Sequence, residues 1–181
     1  MKYINNFLIL FLIIFLLPIK SFGLIEVDIT RGNLNPLPLA VSPLSIDEKS
    51  RKNFKGLLKK ENIGLEISSI VENNLRTSGL FNPLNKDAFL QAPDIANLKP
   101  RFEDWNLIKA QALITGKVSF DDDKLRVEFR LWDVLAGKEM MALAFTTVPN
   151  NWRRVGHIIS DKVYERLTGE KGYFDTRIIY V

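Results

Sequence analysis

The chain holds a single histidine, His157, and Asp161 follows it four residues later. On a helix that spacing places both side chains on one face. An imidazole oriented by a carboxylate is the core of a general base. Such a base also needs a nucleophile and a sheltered pocket, and the neighbouring sequence indicates neither. The spacing therefore predicts an exposed His–Asp pair. Three consecutive carboxylates, Asp121–Asp123, invite a calcium loop. Calcium takes about 6–8 oxygens from spaced positions, whereas consecutive carboxylates in a tight turn splay apart, so a polar hairpin tip is expected. Glu103 and Asp104, just before Trp105, could pose as the acid–base pair of a sugar site. Adjacent residues on a helix do not face each other, and the pair reads instead as a helix start. Arg153 and Arg154 fall in the first turn of a helix, where positive charge opposes the dipole; a carboxylate elsewhere is expected to meet them. No G-x-S-x-G, P-loop, G-x-G-x-x-G or H-E-x-x-H motif occurs. The chain is expected to be no enzyme and to use no cofactor and no metal.

These residues depend on the elements that carry them. "NNWRRVGHIISDKVYERLTG" has Trp152, Val155, Ile159, Val163 and Leu167 in one stripe, Asn150 or Asn151 to cap it and Gly169 to end it. Ile67, Ile70, Val71 and Leu75 make a second long helix, with Gly79 after its end. "ALITGKVSF", "KLRVEFRLWDV" and "KEMMALAFTTV" are β-prone runs joined by connections short enough to require antiparallel neighbours. Leu37–Leu44 reads as a strand ending at Pro43, and Phe81–Leu84 as a very short one. Residues 85–100 read as a loop with at most one helical turn, and a short helix is expected around Phe102, Trp105 and Ile108. The charged stretch Asp47–Asn62 reads as a solvated loop or frayed turn, with a basic patch for an acidic partner as the alternative. The fold class that results is α/β: a mixed β-sheet with an antiparallel three-stranded meander and two main helices packed on it.

The first 23 residues are expected to lie outside that fold. Lys2 opens a short polar start, an apolar run follows from Phe7 to Leu17, and "SFG" supplies small residues at Ser21–Gly23. That order reads as a cleaved secretory signal peptide, with an uncleaved membrane anchor as the alternative. A lipid anchor on a new N-terminal thiol is excluded, because the chain has no cysteine. The formal charge of +4 falls by two when Lys2 and Lys20 leave, which gives no support to nucleic-acid binding. Leu24–Thr30 then alternates, with Ile25, Val27 and Ile29 on one side and Glu26, Asp28 and Thr30 on the other. Period two describes a half-buried strand. A free strand near a terminus can add to another protein's sheet edge; an ordinary edge strand of its own domain is the other reading.

"GHIISDKVYERLTGEKGYFDTRIIYV" at the end of the chain resembles the TolB family of the periplasmic Tol–Pal system, at the close of its N-terminal domain. "NNLRTSGLFNPL" is similar to the family's D-L-x-x-S-G-x-F-x-P-L, with Asn74 where the family usually has Asp. "LAVSPL" is similar to its V-x-P-F strand, with Leu44 for the phenylalanine. The resemblance covers essentially the whole mature chain. It implies a signal peptide over 1–23, a TolB N-terminal-like domain over 24–170, and over 171–181 a linker and the first strand of an absent β-propeller. Addition of Thr176–Val181 to the domain's own sheet is the alternative. For function the resemblance implies protein–protein binding in the periplasm. The chain would link a TolA-like inner-membrane protein to a Pal-like outer-membrane lipoprotein, supporting envelope integrity and cell division. Pal contacts would lie mostly on the propeller, and the TolA contact on Leu24, Ile25, Glu26, Val27, Asp28, Ile29 and Thr30. A small periplasmic ligand-binding protein or enzyme with a pocket near Trp105 is the competing expectation.

Overall fold

The computed structural model describes Ile25 and residues 35–58, 62–121 and 123–176. Six strands form one mixed sheet among these residues. β1 (Leu37–Val41) lies between β3 (Phe81–Pro83) and β4 (Ala112–Asp121), parallel to both. β5 (Lys124–Asp133) and β6 (Lys138–Thr147) continue from β4 as an antiparallel meander. β2 (Ser45–Ile46) pairs with β4 beyond the end of β1. The expected strand over Leu37–Leu44 is thus broken, ending at Val41 and resuming only after Pro43. Proline has no N–H for a ladder, which accounts for the gap.

The meander forms because β5 alternates so cleanly. Leu125, Val127, Phe129 and Leu131 are buried on one face, together with Ala112, Ile114 and Val118 of β4. Two helices cover this face: α2 (Ile63–Thr77) and α5 (Trp152–Thr168). Ile63, Ile67, Val71 and Leu75 recur every four residues along α2 and are all buried, so one side of the helix meets the sheet. Asn62 caps α2 by accepting the Leu65 N–H at 3.0 Å. α5 presents Trp152, Val155, Ile159, Val163 and Leu167 in the same manner, and Gly169 ends it at φ +76°, a left-handed position that costs glycine nothing. The two helices touch at Gly156, where an added Cβ would stand 2.9 Å from Ile70 Cγ2.

The opposite face holds a smaller core of Ala40, Ala96, Trp105, Ala110, Leu113 and Val134. Two short helices close it, α3 (Pro93–Leu98) and α4 (Phe102–Leu107). Glu103 and Asp104 stand in the first turn of α4, as a helix start requires. Two sequence expectations fail here. Residues 85–100 hold a 3-10 turn at Lys86–Ala88 and then α3, with Pro93 at its start, where the missing N–H costs nothing. The charged stretch after Asp47 is no loop but α1 (Glu48–Leu58). Asp47 caps it, accepting the Ser50 N–H at 2.8 Å and the Ser50 hydroxyl at 3.0 Å. Ser50 Oγ in turn accepts the Phe120 N–H at 2.9 Å, pinning the helix start to the end of β4.

Candidate protein-interaction site

Asp161 does not orient His157. The imidazole is half-buried between α2 and α5, and its Nδ1 lies 2.9 Å from Asn74 Nδ2. The same amide nitrogen donates to Ser160 Oγ at 2.9 Å, and the Ser160 hydroxyl donates to the Gly156 carbonyl at 2.8 Å. An amide nitrogen only donates, so Nδ1 is the acceptor in this contact. The expected exposed His–Asp pair is therefore absent, replaced by a polar tie between the two long helices.

Asp161 instead faces the residues after Gly169. Its Oδ1 accepts the Phe174 N–H at 2.6 Å and its Oδ2 the Asp175 N–H at 3.0 Å. Gly172 lies against it so closely that a Cβ there would come within 2.4 Å of Asp161 Cα. The Asp175 carboxylate meets the Arg154 guanidinium through contacts of 3.1 Å, which holds the Arg154 pKa above its ordinary value. This is the carboxylate that a cation in the first helical turn was expected to find. Arg153 takes a different route, resting over the Trp152 ring at 4.2 Å. Phe174 and Tyr173 complete an aromatic cluster with Tyr164 and, beyond it, Phe81. Burial, with the neighbouring Tyr173 and Glu170, pushes the Tyr164 phenol upward.

Trp105 is a core residue of the second face. It is 1% exposed, its indole N–H donates to Gln91 Oε1 at 3.0 Å, and Phe89 meets its ring edge-to-face. Among the described residues no group of three or more His, Cys, Asp or Glu side chains stands close enough to hold a metal ion. Asp123 turns the β4–β5 connection at φ +60°, in agreement with a hairpin tip.

Of the segment Leu24–Thr30, only Ile25 is among the described residues; Leu24, Glu26, Val27, Asp28, Ile29 and Thr30 lie outside them. Ile25 is half-buried and packs against the larger core. Arg177–Val181, most of the expected last strand, also lies outside, as do residues 1–23.

Hollows in the surface of the described residues include the following two. A groove of about 610 Å³ runs between β2, the start of α1 and α3, walled by Leu44, Ile46, Asp47, Arg51, Asn97 and Lys117 among others. Asn97 is 9% exposed, and its Oδ1 has no hydrogen-bond partner among the described residues. The Ser50 N–H holds the Asp47 carboxyl below its usual value against partial desolvation. On the far side of α2, burial raises Glu72, but hydrogen bonds from Lys86 and Arg76 outweigh it and leave the carboxyl lowered. A second hollow of about 290 Å³ separates β6 from α5, between Phe145, Thr147, Arg154 and Ile158. β6 stands at the end of the strand order. Sequence reasoning gave no role to Asn74, Asn97 or Asp175. Asn74 stood out only as a departure from the family pattern, and Asp175 only as the unnamed carboxylate expected at Arg154.

The family model described as the TolB amino-terminal domain matches residues 25–140. The Tol-Pal system protein TolB of Pelagibacter ubique (strain HTCC1062) is 82% identical over 172 residues, which cover 95% of this chain and 39% of that protein. The chain thus spans about two fifths of the length of this curated relative. The crystal structure of TolB from Acinetobacter baumannii matches with a TM-score of 0.62 at 22% identity, over 84% of this chain and 33% of that one. At that identity the likeness speaks for the fold.

Proposed function

The chain belongs to the TolB amino-terminal domain family, and from that premise we propose that it works as a protein-binding component of a Tol–Pal-like envelope system. In this reading residues 1–23 are a cleaved signal peptide, residues 24–170 form the working domain, and the site of action is the periplasm. One partner is a TolA-like inner-membrane protein. A Pal-like outer-membrane lipoprotein is the other, engaged mostly outside this domain. Their linkage supports outer-membrane integrity and division. The observation that carries this reading is the 82% identity to a Tol-Pal system protein over nearly the whole chain.

Leu24–Thr30 is the segment that meets the TolA-like partner. Its alternation suits addition to a sheet edge, with main-chain hydrogen bonds giving affinity and Ile25, Val27 and Ile29 giving choice. A binding role also agrees with the state of the polar groups on the helices. His157 is tied to Asn74 and Ser160, and Asp161 to backbone N–H groups, so neither is placed as a general base.

The test replaces Val27 and Ile29 together by Glu, leaving Ile25 on the core. Capture by the purified C-terminal domain of a TolA-like protein should fall at least about tenfold, as expected when side-chain anchors of a short interface are lost. Thermal unfolding should be unchanged. Undiminished capture by the double variant would defeat the assignment of this segment.

A further inference from the structure

Beyond the envelope role, and independent of it, we propose that residues 170–176 are a clasp that fixes the direction in which the chain leaves the domain, with Asp161 and Arg154 as its two anchors. The boundary expected after residue 170 then moves to Thr176.

Both anchors stand on α5. Gly172 lies over Asp161, whose carboxylate also holds the Phe174 and Asp175 N–H groups. The chain bends at Phe174 and Asp175, and from there the Asp175 side chain reaches Arg154. Gly169 makes the reversal at its left-handed φ.

Each contact removes one way for the segment to swing. Both Asp161 oxygens are engaged by consecutive backbone N–H groups, which sets the orientation of the peptide plane between Phe174 and Asp175. Close approach at Gly172 leaves no room for a side chain between segment and helix. Phe174 packs on the larger core and against Tyr164. The Arg154–Asp175 pair is partly exposed, so it is the weaker anchor, screened by salt. The chain is consequently held against α5 as far as Asp175, which sets where Thr176 stands relative to the helix and the sheet.

The absence of cysteine permits a direct test on the full chain. Lys99→Cys and Thr176→Cys carry a pair of nitroxide labels, and pulsed dipolar spectroscopy reads the distance distribution between them. The native background should give one narrow distribution. Asp161→Ala and, separately, Gly172→Ala should each broaden it at least about twofold, as expected for a surface segment released from its contacts. In Asp161→Ala the Phe174 and Asp175 amides should exchange with solvent at least about tenfold faster, reflecting loss of a charged acceptor. Exchange at Ile159 and Val163 should stay unchanged in both variants, separating release of the clasp from loss of the helix. A native distribution already as broad as that of the variants, or variants that leave it narrow, would overturn the proposal.

Discussion

Asn74 and His157 meet across the contact between α2 and α5, amide nitrogen to Nδ1 at 2.9 Å. Their partner Ser160 is fully buried, whereas Asn74 and His157 are half-buried, so the tie runs from the helix surface into the core. Asn74→Ala leaves Nδ1 and the Ser160 oxygen each without a donor. An unsatisfied buried group costs about 1–3 kcal/mol. For a domain of this size the melting temperature should fall by roughly 3–8 °C, and differential scanning calorimetry would read it. A variant melting with the native chain would show that the tie adds nothing.

Gly156 tests the same contact by volume. Its missing Cβ would come to 2.9 Å from Ile70 Cγ2 and 3.0 Å from Ile70 Cβ, and Ile70 is a branched side chain on a helix with little freedom to turn. Gly156→Ala gains helix propensity but forces α2 and α5 apart. Overpacking of about 1–3 kcal/mol outweighs the roughly 1 kcal/mol that alanine gains over glycine. Urea denaturation should show a lower midpoint, and Gly156→Val should lower it further. A raised midpoint for Gly156→Ala would mean the helices separate at little cost.

Asp47 ties stability to pH. Its carboxyl is lowered chiefly by the hydrogen bond from the Ser50 N–H, against partial desolvation. A depressed folded-state pKa means the contribution is fully present above the unfolded value. It is lost as pH falls through the folded value, when protonation ends the capping bond. Asp47→Ala should cost about 0.5–2 kcal/mol at neutral pH and progressively less in acid. Denaturation at pH 7 and near pH 3 reads the difference. An equal cost at both would separate the cap from the carboxylate's charge.

What the sequence made legible follows from how far apart the interacting residues lie. α2 and α5 could be read because their apolar residues recur along a single helix, and β5 because its faces alternate residue by residue. α1 could not, since charged residues outnumber its few apolar ones and its anchor is the Phe120 N–H, 70 residues away from Ser50. α3 has only six residues, too few to show a period. At the candidate site the same rule holds. Local spacing put Asp161 beside His157, but Asn74, 83 residues distant, is nearer in space. The dipole argument at Arg154 showed that a carboxylate was needed without showing that Asp175 supplies it. The groove at Asn97 joins α1, β2 and α3, and no local pattern could assemble it.

Trp105 separates a binding pocket from a core. The side chain is 1% exposed and bridges α4 to the second face of the sheet, with its indole N–H on Gln91. Gln91 Oε1 also accepts the Arg101 N–H at 3.0 Å, and Gln91 Nε2 donates to the Lys99 carbonyl at 3.0 Å. One amide therefore holds the loop before α3, the start of α4 and the tryptophan together. Trp105→Ala removes a large buried ring and should cost about 3–5 kcal/mol. Trp105→Phe fills most of the volume but leaves the Gln91 acceptor one donor short, for roughly 1–3 kcal/mol. The order native, then Phe, then Ala in thermal unfolding is the outcome expected of a core residue. A pocket residue would behave otherwise: both variants would melt near the native temperature and differ only in ligand binding.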